Sequence, residues 1–158
     1  MDKSEFVRRV NACKPMLYRV SMSLFGSLPD AEDAASEAVL KAWEKRDSLK
    51  DERYFETWLT RILINTCRSI LRRRARHPET ELHEDIAAET GEESGLAAAL
   101  MRVEIEYRLP LMLHYAEDMT MRAIAESMGL SENAVKWRIE KGRKRLKEEL
   151  TKENGYEE

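Results

Sequence analysis

The stretch "RILINTCRSILRRRAR", residues 61–76, begins as a half-apolar helix and ends in a cluster of arginines, although the whole chain carries a formal charge of −3. On a helical wheel at about 100° per residue, one side gathers Phe55, Leu59, Ile62, Leu63, Thr66 and Ile70, and Trp58 lies at its edge. We expect this side to be buried in a helical core. The chain is also rich in charge and methionine and poor in Gly and Pro, which favours helices over strands. We therefore predict an all-α protein.

The neighbouring side of the same helix forms a polar ridge. Arg61, Asn65, Arg68, Arg72 and Arg76 follow one another at steps of four, three, four and four residues. Guanidinium groups bind phosphates and guanine edges, and an Asn amide can pair with adenine, so such a ridge fits nucleic acid. A solvated charged face is the alternative, but acidic partners four residues away are missing. We call these five residues the arginine ridge and predict that it binds DNA.

Charge separates the chain into two blocks. Residues 77–95, "HPETELHEDIAAETGEESG", hold seven acidic residues and no Lys or Arg, a composition typical of a linker. The helical patterns before it cover 3–25, with a break near Pro15, then 30–46 and 54–75. Those after it lie near 96–104, 106–117, 120–128 and 131–150. We predict two small helical domains, residues 1–76 and 96–158, joined by a flexible acidic linker at 77–95.

The end of the chain has the spacing of a helix-turn-helix. In "MTMRAIAESMGLSENAVKWRIEKGRKRLKEEL", residues 119–150, Gly129 stands at the turn and Ser131 is the expected N-cap of the second helix. Trp137 lies opposite the apolar line of that helix, so some other surface should cover it. In this motif the N-terminal residues of the second helix enter the major groove of DNA. A plain helical hairpin is the alternative.

Other features exclude several classes of protein. Cys13 and Cys67 are too few for a disulfide framework and lack metal-ligand spacing, so we expect two reduced, part-buried thiols. The N-terminus lacks an apolar core of signal-peptide length, and no window approaches the ~20 apolar residues of a membrane span. We therefore expect a cytosolic protein. The motifs HExxH, GxxxxGK[ST] and GxSxG are absent, so we expect no enzymatic activity, metal or cofactor.

Taken together, these segments resemble the extracytoplasmic-function (ECF, group 4) class of bacterial sigma factors, which are promoter-recognising subunits of RNA polymerase. Residues 30–46, "DAEDAASEAVLKAWEKR", look like the family's AED-x-x-x-E-x-x-x-x-AW helix, which docks on the polymerase clamp. Residues 55–76 look like the segment that melts and reads the minus-ten element. The helix-turn-helix is similar to the domain that reads the minus-thirty-five element and rests on the polymerase flap.

The resemblance implies a sigma factor that directs promoter-specific transcription initiation. Its implied partners are promoter DNA and the clamp and flap of the polymerase core, with an anti-sigma factor as a further candidate and no insertion into the membrane. A free-standing helix-turn-helix regulator with an N-terminal sensing domain is the alternative; it would dimerise and bind paired half-sites without polymerase.

Three sets of candidate contact residues follow. Core polymerase binding is expected of Asp30, Glu32, Asp33, Glu37 and Trp43. Minus-ten DNA binding is expected of Arg61, Asn65, Arg68, Ser69, Arg72 and Arg76. Minus-thirty-five DNA binding is expected of Asn133, Lys136, Trp137, Arg138, Glu140, Lys141 and Lys144. Within the last set a Glu carboxylate can accept a hydrogen bond from a cytosine amino group, whereas lysines hold phosphates. Packing of Trp137 on the polymerase flap or a regulatory partner is an alternative to DNA contact.

Overall fold

The computed structural model describes residues 1–77 and 94–154, and these two ranges contain seven α-helices and no strand. The helices are α1 Lys3–Phe25, α2 Leu28–Glu44, α3 Phe55–Arg76, α4 Ser94–Met101, α5 Ile105–Tyr115, α6 Met121–Met128 and α7 Glu132–Asn154. Two single 3-10 turns, Arg46–Ser48 and Glu52–Tyr54, join α2 to α3. The prediction of an all-α fold is confirmed. Most of the predicted linker, residues 78–93, lies outside the described residues.

Helix α1 does not break at Pro15, and here the sequence-based expectation was wrong. A proline inside a helix removes one backbone hydrogen bond and crowds the preceding turn. In α1 the apolar residues on both sides of Pro15 face the same core: Val10 is 8% exposed, and Leu17 and Val20 are 1% and 0% exposed. Burial of this continuous face offsets the missing bond, so the helix continues.

Helices α1, α2 and α3 form the first bundle. The inner face of α2 is made of alanines, with Ala34, Ala38 and Ala42 fully buried, so the neighbouring helices can approach it closely. At one end of the bundle the Phe6 ring lies edge-on to Trp43, with 5.0 Å between ring centroids. Aromatic edge-to-face pairs of this kind add to the energy of burial.

Helices α4 to α7 form the second bundle, which contains the predicted helix-turn-helix. Gly129 ends α6 in the left-handed conformation, with φ of 70°, which a residue with a side chain rarely adopts. Ser131 then caps α7, because its hydroxyl oxygen accepts a hydrogen bond of 3.1 Å from the Ala134 N–H. At Gly142 a Cβ atom would lie 3.0 Å from the Tyr107 carbonyl oxygen, so α5 and α7 pack without room for a side chain there.

A buried cation holds α4 in place. Arg108 is 4% exposed, and its guanidinium donates hydrogen bonds of 2.7 Å to the Met101 carbonyl and 2.8 Å to the Val103 carbonyl. These carbonyls lie at the C-terminal end of α4, where a helix favours positive charge. Burial lowers the pKa of Arg108 to about 10, so the group still carries its charge at neutral pH. Arg108 therefore caps α4 from the neighbouring helix.

The two bundles pack directly against each other. Helix α3 lies against α6 and α1 lies against α5, and one hydrophobic core contains residues of both bundles, such as Leu63 and Ile124. Two bundles are predicted from the sequence, but this contact between them is not. As a result, the helix that carries the arginine ridge has a second neighbour.

Burial protects both cysteine thiols and leads to a first prediction. It raises the pKa of Cys67 to about 12 and that of Cys13 to about 11, with the Glu56 carboxylate adding to the latter. A thiol with a raised pKa stays protonated at pH 8, and the thiolate is the reactive form. We expect Ellman's reagent to label both cysteines rapidly only after unfolding in guanidinium chloride. Rapid labelling of Cys67 in the native protein would contradict this packing.

Candidate nucleic-acid interface

The arginine ridge lies on the surface of α3, on the side away from the core of the first bundle. Arg61, Asn65, Arg72 and Arg76 are exposed, whereas Arg68 is half-buried. At a rise of about 1.5 Å per residue the ridge is about 22 Å long. Ser69, the sixth candidate for minus-ten binding, is also half-buried on the same helix. The structure therefore gathers all six candidate minus-ten residues along one helix.

Helix α6 covers one flank of this ridge. The Arg61 guanidinium donates a 3.0 Å hydrogen bond to the backbone carbonyl of Glu126, and the Ser127 hydroxyl lies 3.5 Å from the carbonyl oxygen of Thr57. Ile64 lies about one turn beyond Arg61 on the same face of α3 and is fully buried. Sequence reasoning did not predict this cover, although an isoleucine beside the arginine ridge and away from the core side was a sign of it. The ridge is thus open on the side of Asn65, Arg72 and Arg76.

The two candidate DNA-binding helices meet at the end of this contact. Arg68 of α3 and Arg138 of α7 line the same shallow pocket, which has a volume of about 410 Å³. Burial lowers the pKa of Arg68, and the positive charges of Arg138 and Arg72 lower it further. The positive charges of Arg68 and Arg138 repel each other, which favours separation of the two surfaces. Apolar and polar contacts elsewhere must therefore hold the bundles together.

The surface of α7 has the arrangement that the helix-turn-helix predicts. Val135 and Ile139 are buried, and the candidate minus-thirty-five residues lie on the outer side. Exposed among them are Asn133, Lys136, Trp137, Glu140, Lys141 and Lys144, and Arg138 is half-buried.

The Trp137 ring contacts Tyr107 of α5, a residue that sequence reasoning missed. Trp137 is 58% exposed, and the Tyr107 ring of α5 lies edge-on to it with 6.0 Å between centroids. The Lys141 ammonium lies 5.6 Å from the centre of the Trp137 ring and 6.0 Å from that of Tyr107. Contacts of this type are attractive, so Tyr107 and Lys141 limit the orientations available to the indole.

The acidic face of α2 is only partly available to another protein. Glu32 and Asp33 are exposed, and Glu37 is half-exposed with Lys41 3.3 Å away. Asp30 is 4% exposed, and its carboxylate lies 2.7 Å from the Arg74 guanidinium of α3. The expectation that Asp30 belongs to a contact surface does not fit this position. Asp30 lies in the first turn of α2, which begins at the cap Ser27 and turns this carboxylate inward.

Trp43, the remaining candidate of α2, belongs mainly to the bundle. Its ring packs on Phe6, and the Arg46 guanidinium lies over the ring, 3.7 Å from its centre. These contacts support a structural role for Trp43 in the first bundle.

Within residues 1–77 and 94–154, no helix is both long and apolar enough to cross a membrane. In the same ranges no group of three or more His, Cys, Asp or Glu side chains has a geometry that could hold a metal ion.

A basic helix in a three-helix bundle, followed by a helix-turn-helix, is the arrangement of an RNA polymerase sigma factor, and comparison with known families agrees. Residues 9–77 match the model of Sigma-70 region 2, and residues 93–146 match that of Sigma-70, region 4. The chain belongs to the extracytoplasmic-function class of sigma factors. Because both regions match in this order, the alternative of a free-standing regulator is not favoured.

Relatives over nearly the full length include two proteins of Bacillus subtilis (strain 168). The ECF RNA polymerase sigma factor SigW is 27% identical, and the match covers 94% of this chain and 90% of SigW. The RNA polymerase sigma factor SigV is 26% identical, with 96% and 95% covered.

Two solved structures are similar over both bundles. The sigma factor RpoE in complex with the anti-sigma factor NepR, from Bartonella quintana, matches with a TM-score of 0.82 and 26% identity over 93% of this chain and 97% of that one. CnrH in complex with the cytosolic domain of CnrY matches with a TM-score of 0.75 and 26% identity, over 96% and 90%.

Proposed function

We propose that this chain is a cytoplasmic, non-enzymatic initiation factor whose two bundles read the two elements of a promoter. Residues 1–76 would bind the polymerase clamp through α2 and open the minus-ten element through the arginine ridge. Residues 96–158 would read the minus-thirty-five element through α7, and residues 77–95 would connect them. The observation that carries this proposal is the presence of two exposed basic surfaces, on α3 and on α7, in one chain of net charge −3.

The packed arrangement cannot contact both promoter elements at once. The minus-ten and minus-thirty-five elements are about 25 base pairs apart, or about 85 Å at 3.4 Å per base pair. A compact chain of this length has a radius of gyration of only about 15 Å. The backbone between residues 77 and 94 can extend to about 60 Å. Promoter binding therefore requires that α6 and α7 move away from α3.

Polymerase core would supply the free energy for this separation. Binding of each bundle to its own site on the core would hold the two DNA-reading surfaces at a fixed distance and make two weak contacts act as one site. An anti-sigma factor would act in the opposite direction by binding the packed form. Two similar structures support this role. In one, RpoE is bound to the anti-sigma factor NepR, and in the other, CnrH is bound to the cytosolic domain of CnrY. Both RpoE and CnrH match the fold of this chain over both bundles.

The acidic face of α2 gives a prediction for core binding. Glu37→Lys should weaken binding to polymerase core by about tenfold, because it replaces a negative charge that would attract a basic clamp by a positive charge that would repel it. The melting temperature should hardly change, since the lost pair with Lys41 is worth only ~0.3–0.5 kcal/mol. Glu44→Lys, an exposed site on the same helix outside the candidate set, is the matched control. Equal affinity of the wild type and Glu37→Lys would remove this role.

Helix α7 gives a third prediction. Glu140→Ala should relax the preference at one base pair of the minus-thirty-five element, because its carboxylate would accept a hydrogen bond from a cytosine amino group. Lys141→Ala should instead lower promoter activity by a similar factor on every sequence, because a phosphate contact carries no sequence information. Both variants can be scored with polymerase core on a library with a randomised minus-thirty-five element. An unchanged base profile for Glu140→Ala would refute the readout role.

A further inference from the structure

An ion pair crosses between the two bundles at a place that neither DNA-reading surface includes. The Arg19 guanidinium on α1 donates two hydrogen bonds to the Glu117 carboxylate, from Nε to Oε2 at 2.6 Å and from Nη2 to Oε1 at 2.8 Å. Two parallel bonds of this kind are stronger and more directional than a single contact. We propose that this pair is an intramolecular latch that keeps the free protein in the packed, DNA-incompetent arrangement.

The exposure of the two side chains explains why loss of Arg19 would destabilise the packed form. The Glu117 side chain is 3% exposed, whereas the Arg19 side chain is 50% exposed. When the bundles are together, the carboxylate has lost most of its water and relies on Arg19. When the bundles separate, water reaches the carboxylate again. Loss of Arg19 therefore leaves a buried charge unpaired in the packed form alone, which shifts the equilibrium towards the open form.

The backbone around Glu117 fixes the carboxylate in position. The turn after α5 is held by hydrogen bonds from the Glu117 N–H to the Met112 carbonyl and from the Met119 N–H to the Leu113 carbonyl. Asp118 between them has a φ of 60°, which is uncommon for a residue other than Gly. A turn with this conformation costs free energy. The turn places the Glu117 carboxylate within hydrogen-bond distance of Arg19 in the other bundle.

The latch also protects the arginine ridge. Arg61 donates its hydrogen bond to the Glu126 carbonyl only while α6 lies on α3, and Arg68 lies next to Arg138 in the same arrangement. Separation would free both arginines for DNA. Arg19 and Glu117 belong to none of the three sets of candidate contact residues, so their substitution can alter opening without removing a polymerase or DNA contact.

The test measures the distance between the bundles in the full-length chain, without polymerase or DNA. Donor and acceptor dyes are placed on exposed sites of α2 and α7, and energy transfer is compared among the wild type, Arg19→Glu, Glu117→Arg and the double charge swap. We expect each single variant to raise the ratio of open to packed molecules about tenfold or more, and the swap to restore most of the packed form. Arg8→Glu is the control, because Arg8 is exposed on α1 and pairs within its own helix.

A milder variant, Arg19→Gln, and the helix content by circular dichroism show whether each bundle stays folded. Energy transfer that is equal in the wild type and both single variants would overturn the latch, as would a swap that stays as open as the single variants. The proposal depends on the proposed function only for its consequence, since opening matters because promoter DNA requires it. If the chain failed to direct transcription, the energy-transfer result would still stand or fall separately.

Discussion

Alanine at Asn65, or at Arg72, is expected to reduce opening of the minus-ten element by about tenfold or more. Both side chains are exposed on the open side of the arginine ridge. A good amide or guanidinium contact with a base is worth ~1–3 kcal/mol, and 1.4 kcal/mol is a factor of ten. Opening can be measured as permanganate reactivity of unpaired thymines in the complex of promoter, polymerase core and this protein.

The chain offers a matched control for this prediction. Arg73 is exposed on the same helix, but it lies about 120° around the helix axis from Arg61, outside the ridge. Arg73→Ala should therefore leave opening close to that of the wild type. Normal thymine reactivity with both Asn65→Ala and Arg72→Ala would contradict the assignment of the ridge to the minus-ten element.

The largest effect on stability is expected at Arg108. Arg108→Met keeps a side chain of similar length but leaves the Met101 and Val103 carbonyls without their donor. Each unsatisfied buried carbonyl costs ~1–3 kcal/mol, part of which is offset because a charge is no longer buried. We expect the free energy of unfolding to fall by about 2 kcal/mol in a guanidinium chloride titration.

Arg143→Met is the control for Arg108→Met, because Arg143 is exposed on α7. Its free energy of unfolding should differ from that of the wild type by less than about 0.5 kcal/mol. If the two variants were equally stable, Arg108 would not be the cap that holds α4.

The features predicted correctly from the sequence depend on local spacing. The apolar side of α3 and its arginine ridge follow from a period of 3.6 residues, and both occur in the structure. The turn of the helix-turn-helix follows from Gly129 and Ser131, whose conformation and capping are local properties. Patterns of this kind are visible in a single sequence because each residue is judged against neighbours three or four positions away.

The features that sequence reasoning missed depend on contacts between distant residues. The break at Pro15 was wrong because tertiary burial outweighs one lost hydrogen bond. Asp30 looked like a surface acid, but its partner Arg74 is 44 residues away. The pair of Arg19 and Glu117 joins residues 98 positions apart. No periodicity marks such pairs, because the sequence pattern around a lone charged residue on a helix is the same whether or not another helix covers that residue.

The most direct test of the account is run-off transcription with polymerase core on a pool of templates whose minus-ten and minus-thirty-five elements are randomised. The account predicts that transcripts of defined length appear only when this protein is added. The transcribed templates should be enriched for preferred bases at both elements, at one fixed spacing. Asn65→Ala should lose the preference at the first element, and Glu140→Ala should lose it at one position of the second. An identical set of transcripts with and without the protein would contradict the account.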